Sequence, residues 1–446
     1  MNDLDKNVGI NETVAAVLDL ERPLEHISEA KFREVAKLLE EVHEQPGVQQ
    51  ILDHVRPRLA KLRPGRKPNL QRLFYLPIED LLVGDTVSPD NGLLPRHLPA
   101  MVWRYVAKTG EAETRKQLED ALRRVKAGDQ DGQMAIARRL WPWAARVLAA
   151  LVADPGNART VLGADAGLFD ELVEMSALLH VAEAVDKLKE NLPARPIREL
   201  GDEQMGLIRR AIADGAAGDA EKTYVMILTA MVRMAKRADF LERIMGMTLG
   251  LSGADRPAVY SRLSRLLMTE ISDQANLLNA TDRENLVGLA DNARTLVTGV
   301  VAAEKVLKND PKARRQLNEM RKTAEKTVTQ VVGTATDTVV AAIGVGHDAP
   351  LESLIKTENS ILALRKCQTF ANQIGLDRAV NGALGGIVGE VRQKATKLFA
   401  AVGGNGGGPA RQETQQQMYW AVRMTELAGN PDDADKLRRE GMRAIG

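Results

Sequence analysis

The stretch DRENLVGLADNARTLVTGVVAAEKVLK, residues 282–308, decides the fold class of this chain. Its apolar residues Leu286, Leu289, Ala293, Leu296, Val300, Ala303 and Leu307 recur at alternating three- and four-residue steps, the spacing that keeps one face of an α-helix turned to a partner helix. Thr281 and Glu284 stand at capping-box spacing and predict the helix start. The break Asn309-Asp310-Pro311 follows, with Asp310 suited to cap a second helix and Pro311 to occupy its first position. Beyond it Leu317, Met320, Ala324, Val328, Val331, Ala335, Val339 and Ala342 continue the seam. Residues 328–345 are rich in β-branched side chains, but the unbroken spacing reads as helix, not strand. The two segments predict an antiparallel hairpin roughly 35–45 Å long at about 1.5 Å per residue.

Working outward, residues 219–249 carry a third seam through Tyr224, Ile227, Met231, Met234, Ala238, Leu241, Met245 and Thr248, read as one helix. Residues 167–190 give another, with Leu168, Leu172, Met175, Leu179, Val185 and Leu188 facing a core. Toward the N-terminus, helices are expected over 28–45 with Ser28 as cap, over 48–59, and over 98–108, 113–126 and 133–152; in the last, Pro142 should start or kink the helix. Residues 64–99 hold too many prolines and glycines for long elements and predict loops with a short helical piece at 78–83. Toward the C-terminus, 350–375 and 376–402 read as helices, and Gly382, Gly385, Gly386 and Gly389 in the second predict close helix packing. The expected class is all-α: a multi-helix bundle with a long antiparallel hairpin and no internal repeat.

The domain plan follows the breakers. An N-terminal helical domain covers 1–192, Pro193 and Pro196 mark a boundary, and a long-helix bundle covers 198–402. Residues 403–412 form a glycine-rich linker, and 413–446 a tethered pair of helices split at Gly429-Asn430-Pro431.

Composition narrows function. Apolar residues make up 44% of 446, enough for real cores, but aromatics only 3%, so those cores are aliphatic. With 61 basic and 60 acidic residues, the chain lacks the long-range field of a dedicated nucleic-acid or membrane-surface protein, and such binding would need a local patch. The single cysteine, Cys367, excludes an intrachain disulfide and a cysteine-based zinc site. The N-terminal residues lack the pattern of a signal peptide and no apolar run reaches about 18 residues, so the expected location is cytoplasmic.

Candidate sites are few. Glu40 and His43 form one Glu-x-x-His pair, the spacing of di-iron bundles, but a second copy is missing, and neither a metal nor a cofactor is expected. No nucleophile elbow, Walker A loop or dinucleotide fingerprint occurs in a suitable context, so no catalytic residues are assigned. Arg56, Arg58, Lys61, Arg63, Arg66, Lys67 and Arg72 run without an intervening acid and precede Phe74 and Tyr75, a pattern that can suit phosphates and stacked bases, though with a near-neutral total charge the favoured reading is a solvated loop paired with acidic helices. Residues 249–266 resemble the turn and recognition helix of a helix-turn-helix, with Arg262 and Arg265 on the second helix, though Gly253-Ala254-Asp255 makes the turn too long. Met226, Met231, Met234, Met245 and Met247 crowd one segment and read as core filling or as an adaptable groove. Arg392, Lys394 and Lys397 beside Val388, Val391 and Leu398 would suit a membrane surface, with core packing the favoured use.

The expected function is a non-enzymatic scaffold or assembly protein that binds protein partners through helical faces, with homo-oligomerisation among the expectations. The alternatives are a nucleic-acid-associated regulator using 56–72 or 256–266, and an enzyme with an unannounced helical pocket.

Overall fold

The computed structural model describes residues 28–41, 69–83, 92–126, 128–193, 195–342, 351–402 and 409–445. It is an all-α bundle, and the only pairing of strands among the described residues is a two-residue parallel ladder, β1 (Leu82–Val83) with β2 (Leu94–Pro95). The chain divides into two compact units, residues 1–74 with 111–140 and residues 75–110 with 141–446. Residues 192–198 therefore lie inside the second unit.

The first unit holds α1 (Glu29–Glu41), most of α2 (Leu70–Tyr75), α4 (Ala112–Arg124) and the opening of α5 (Gln130–Val152). Ser28 stands just before α1, where its carbonyl accepts from the Phe32 amide at 2.9 Å. Phe32, Leu73, Phe74, Leu118 and Ile136 are buried, the sparse aliphatic and phenyl core that the composition implies. The helix expected over 48–59 lies outside the described residues.

The second unit opens with a short 3-10 turn at Glu79–Leu81 before β1, so the expected helical piece at 78–83 is present only as that turn. Then come α3 (His97–Thr109), the rest of α5, α6 (Pro155–Leu162), α7 (Phe169–His180) and α8 (Ala182–Asn191). α5 continues through Pro142, whose ring is exposed while Trp141 and Trp143 are buried on the other side. The helix expected over 167–190 breaks at Val181.

The main correction concerns residues 219–249. They form two helices, α10 (Ala220–Met231) and α11 (Arg237–Met245), after α9 (Asp202–Ala216). The break is imposed from outside: Ile197 lies along it as a parallel bridge to Met234, its N–H donating to the Arg233 carbonyl at 2.8 Å and its carbonyl accepting from the Ala235 amide at 2.9 Å. These exchanges satisfy backbone groups that a continuous helix would have paired within itself. The seam remains buried from Tyr224 to Met245, which is why its period gives no warning of the break. Met226, Met231, Met234 and Met245 are buried with it, so they fill core and form no open groove.

The hairpin is present. After α12 (Asp255–Ala280), α13 (Leu286–Val306) and α14 (Pro311–Ala342) run antiparallel, as Glu304 meets Arg321 at 2.6 Å while Arg283 meets Gln330 at 3.4 Å. At about 1.5 Å per residue α13 is about 31 Å long and α14 about 48 Å, so α14 overshoots its partner. Asp310 caps α14 as expected, accepting from the Lys312 and Ala313 amides at 2.9 and 3.0 Å. The Thr281–Glu284 capping box does not form. Asn285 caps α13 through the Gly288 amide at 2.9 Å, while the Thr281 hydroxyl donates back to the Leu277 carbonyl and accepts from Asn292. α13 is the one described helix long and apolar enough to cross a membrane, and more than half of that span is buried within the bundle.

α15 (Leu351–Gln368) lies on the hairpin, followed by a 3-10 turn at Ala371–Ile374, α16 (Asp377–Val402), α17 (Pro409–Leu427) and α18 (Pro431–Ile445). The C-terminal pair is docked: Arg423 donates to Glu358 of α15 at 3.0 Å, and Arg392 of α16 lies 3.7 Å from Asp433. Val391, Ala395 and Phe399 of α16 are buried, which gives the apolar side of the basic helix to the core. Residues 403–408 lie outside the described residues.

Candidate functional site

Of the seven basic residues from Arg56 to Arg72, six lie outside the described residues; Arg72 is exposed on α2, its amide donating to Asn69 Oδ1 at 2.7 Å. Phe74 is fully buried, so its ring is unavailable to stack on a base, and Tyr75 is half-buried. His43 and the Glu40 side chain also lie outside the described residues; among those described, no group of three or more His, Cys, Asp or Glu is placed to hold a metal ion.

Residues 256–266 belong to the 26-residue α12. Tyr260 donates to the Met245 carbonyl, tying the helix to the end of α11. Arg262 points into the fold: Nη2 donates to Glu174 of α7 and Nη1 to Glu221 of α10, both at 2.6 Å, and the guanidinium lies 3.6 Å from the centre of the Tyr224 ring. One carboxylate on each terminal nitrogen and a ring against its face turn the guanidinium inward, away from the groove that base readout would need. Arg265 is exposed.

Among the described residues, three cations converge on Asp80, a constellation with no local signature in the sequence. Asp80, with a side chain 5% exposed, accepts from Lys189 at 3.2 Å, from Arg233 at 2.9 Å and from Arg195. Lys189 Nζ also donates to the Leu76 and Pro77 carbonyls at 3.2 and 3.4 Å, so the 76–80 strap is tied to α8 through side chain and backbone together. Burial by itself would raise the Asp80 carboxyl, but the attraction of Lys189 and then of Arg195, with hydrogen bonds from Lys189 and Arg233, holds it below the usual carboxylate range. Three cations around one carboxylate leave the cluster positively charged. Its partners are 109 to 153 residues from Asp80 along the chain, beyond the reach of any local pattern.

Two hollows adjoin near the Ile197 bridge. One, of about 480 Å³, is lined by Arg198, Asp239, Arg243, Thr298, Lys305 and Gln373, and the other, of about 260 Å³, shares Lys236, Asp239 and Thr298 with it. The larger falls within the usual range for small-molecule sites. Its walls are already paired, however: Arg243 donates to the Leu200 carbonyl at 2.5 Å and to Asp202 at 2.6 Å, and Lys305 lies 3.4 Å from Glu242. Asp239 is raised by burial, against the opposing pull of Lys236. A third hollow, about 700 Å³, lies between α8 and α9 over Ala184, Leu188, Leu207, Ala211 and Gly215.

α16 presents an open face of glycines. Gly382, Gly385, Gly386 and Gly389 are exposed, and a Cβ added at any of them would meet no atom of the described residues within 4 Å. The close helix packing expected at these glycines is therefore not made within the described chain, where α17 and α18 pack on other faces of α16. Comparison with family models, curated proteins and solved structures returned no match.

Proposed function

We propose that this chain is a non-catalytic interaction protein that docks helices, and that the open glycine face of α16 is its docking surface. The observation that supports this is energetic as well as geometric. A glycine inside a helix costs about 1 kcal/mol relative to alanine, so Gly382, Gly385, Gly386 and Gly389 weaken α16 by roughly 4 kcal/mol. At Gly215 of α9 such a glycine serves a close approach, since a Cβ there would stand 2.8 Å from Ala184 of α8, whereas the single glycines Gly206 of α9 and Gly333 of α14 meet no neighbour within 4 Å; α16 differs in gathering four such positions on one face. The α16 glycines have no such neighbour, and a second helix at short interaxial distance would use them.

Their spacing favours a second copy of α16 as that helix. A two-fold axis between Gly385 and Gly386 sets Gly382 opposite Gly389 and Gly385 opposite Gly386 on the exposed face, while Leu384 and Ile387 stay buried in their own chain, and an isologous contact requires that self-complementarity. Light scattering coupled to size exclusion tests this across a concentration series. The wild type should shift from monomer toward dimer as concentration rises, and Gly385→Leu/Gly386→Leu should stay monomeric with unchanged helix content. A wild type monomeric at every concentration sinks the proposal, as does a leucine variant that still dimerises.

A further inference from the structure

We propose that Glu171 and Glu174 of α7 form a buried proton-binding site, in which one proton is held between two carboxyls that share too little positive charge. The site is independent of the α16 face.

The two acids stand one turn apart on α7, about 5–6 Å between their Cβ atoms, and both are buried, at 6% and 8% exposure. Between them they have one close cation. Arg262 donates to Glu174 at 2.6 Å but also to Glu221 at 2.6 Å, so its single charge is divided between two carboxylates. Glu171 receives no share, and its Oε2 is sealed from water without any hydrogen-bond partner. Leaving an ionised carboxylate in that position costs several kcal/mol, and a neutral carboxyl is how buried acids escape the cost.

The surrounding groups repair the imbalance only in part, since a backbone hydrogen bond from Glu171's own amide opposes the effect of burial on its carboxyl. From α7 itself Asp170 adds a negative charge beside Glu171. From α10 come Glu221 and Tyr224, and from α12 come Arg262 and the exposed Arg265. Among the neighbouring charges, Arg159 of α6 lies over the Phe169 ring at 5.9 Å, Lys187 of α8 pairs with Glu183 at 3.0 Å, Lys189 serves Asp80, Lys222 of α10 lies 3.6 Å from Asp219, Asp165 in the 163–168 turn lies 3.4 Å from His97, and Asp186 of α8 is a further acid. Burial is the main cause that lifts Glu174 to about 7, with Arg262 opposing and Glu171 and Glu221 adding; burial also lifts Glu171.

A folded-state value above the unfolded one means that the folded chain binds the extra proton, so this group's contribution to stability falls as the pH rises from about 4.5 through about 7. Linkage with those two values predicts that the unfolding equilibrium constant of the second unit rises about 70-fold between pH 5 and pH 8 from this group alone. Urea titrations of the wild type and of Glu174→Gln at both pH values read it: the wild type should lose more stability than the variant by that factor. Carboxyl infrared difference spectra of the wild type give a second reading that needs no variant, and should show a protonated buried carboxyl at pH 6 that is gone at pH 8.5. The proposal is overturned by equal pH dependence in wild type and Glu174→Gln, or by the absence of a protonated carboxyl at pH 6.

Discussion

Replacing Asp80 by asparagine should destabilise the second unit by about 3 kcal/mol, a magnitude that follows from what the carboxylate touches. Breaking a buried ion pair by removing one partner costs about 3–5 kcal/mol, because the surviving charge is left without a counter-ion. Here two of the three survivors are buried enough to count, Lys189 at 16% and Arg233 at 12% exposure, while Arg195 at 58% is screened by water and contributes little. Lys189 keeps the Leu76 and Pro77 carbonyls as acceptors, and the asparagine oxygen can still accept from Arg233, so the low end of the range applies. Urea unfolding at pH 7, followed by circular dichroism, measures the loss. The reasoning carries a second requirement. If the cost is uncompensated positive charge, removing one cation as well must restore part of it, so Asp80→Asn/Lys189→Met should be more stable than the sum of the two single changes by about 1 kcal/mol or more. A loss below about 1 kcal/mol in Asp80→Asn, or strict additivity in the double variant, refutes the account of the hub as a buried ionic tie.

Three further outcomes are expected. Gly215→Ala should cost about 1–3 kcal/mol, because its Cβ would stand 2.8 Å from the Ala184 Cβ, whereas Gly385→Ala should stabilise the monomer by up to about 1 kcal/mol; thermal melts at low concentration compare them, and equal effects would contradict the packing described. Cys367, fully buried with its thiol pushed up to about 12 by burial and by Asp291, should resist Ellman's reagent in the native chain and react only once the chain is unfolded; rapid native labelling would contradict its placement. Stability against acid should depend on Asp80: its folded value lies below the ordinary 3.8, so its contribution is full above 3.8 and is lost as the pH falls through the lower folded value, a loss that Asp80→Asn should abolish in a pH series.

The seams of residues 282–342 are legible because helix packing is periodic, and Leu289, Ala293, Leu296, Val328, Val331 and Ala335 are indeed buried. Period reports which face turns inward, not whether the backbone beneath it is continuous. Met234 and Ala238 keep the spacing across the gap between α10 and α11, and the cause of that gap, Ile197, lies more than thirty residues upstream. Caps show the same limit on a smaller scale. Asp310 and Asn285 are both suitable capping residues, and the start of α13 turned on Thr281 being engaged with Leu277 and Asn292. The glycines of α16 were visible as a motif, but sequence cannot tell whether a small-residue face meets a neighbour in its own chain. Asp80 was harder still, since a lone acid in Leu76-Pro77-Ile78-Glu79-Asp80-Leu81 looks like any turn residue until Lys189 and Arg233 arrive.

These cases share a cause. A helical seam fixes burial but leaves crossing angle and axial position loose, because aliphatic contacts are non-directional and tolerate sliding. Directional groups must supply the missing constraints, and in the second unit they stand where helices end or pass one another. Arg243 holds the Leu200 carbonyl at the entrance to α9, Ile197 bridges the α10–α11 break, Asp80 gathers α8 and the end of α10, and Arg262 ties α12 to α7 and α10. Volume-conserving changes along the seams, such as Leu296→Met, should therefore be absorbed by repacking, at a cost below about 1.5 kcal/mol. Single changes at Asp80 or Arg262 have no such escape, since the first takes the shared carboxylate from Lys189 and Arg233 and the second leaves the buried Glu174 without its cation. Tolerance in this chain should thus follow the type of contact and not the depth of burial: Leu296 is more deeply buried than Arg262, yet Arg262 is the residue whose loss the fold should feel more.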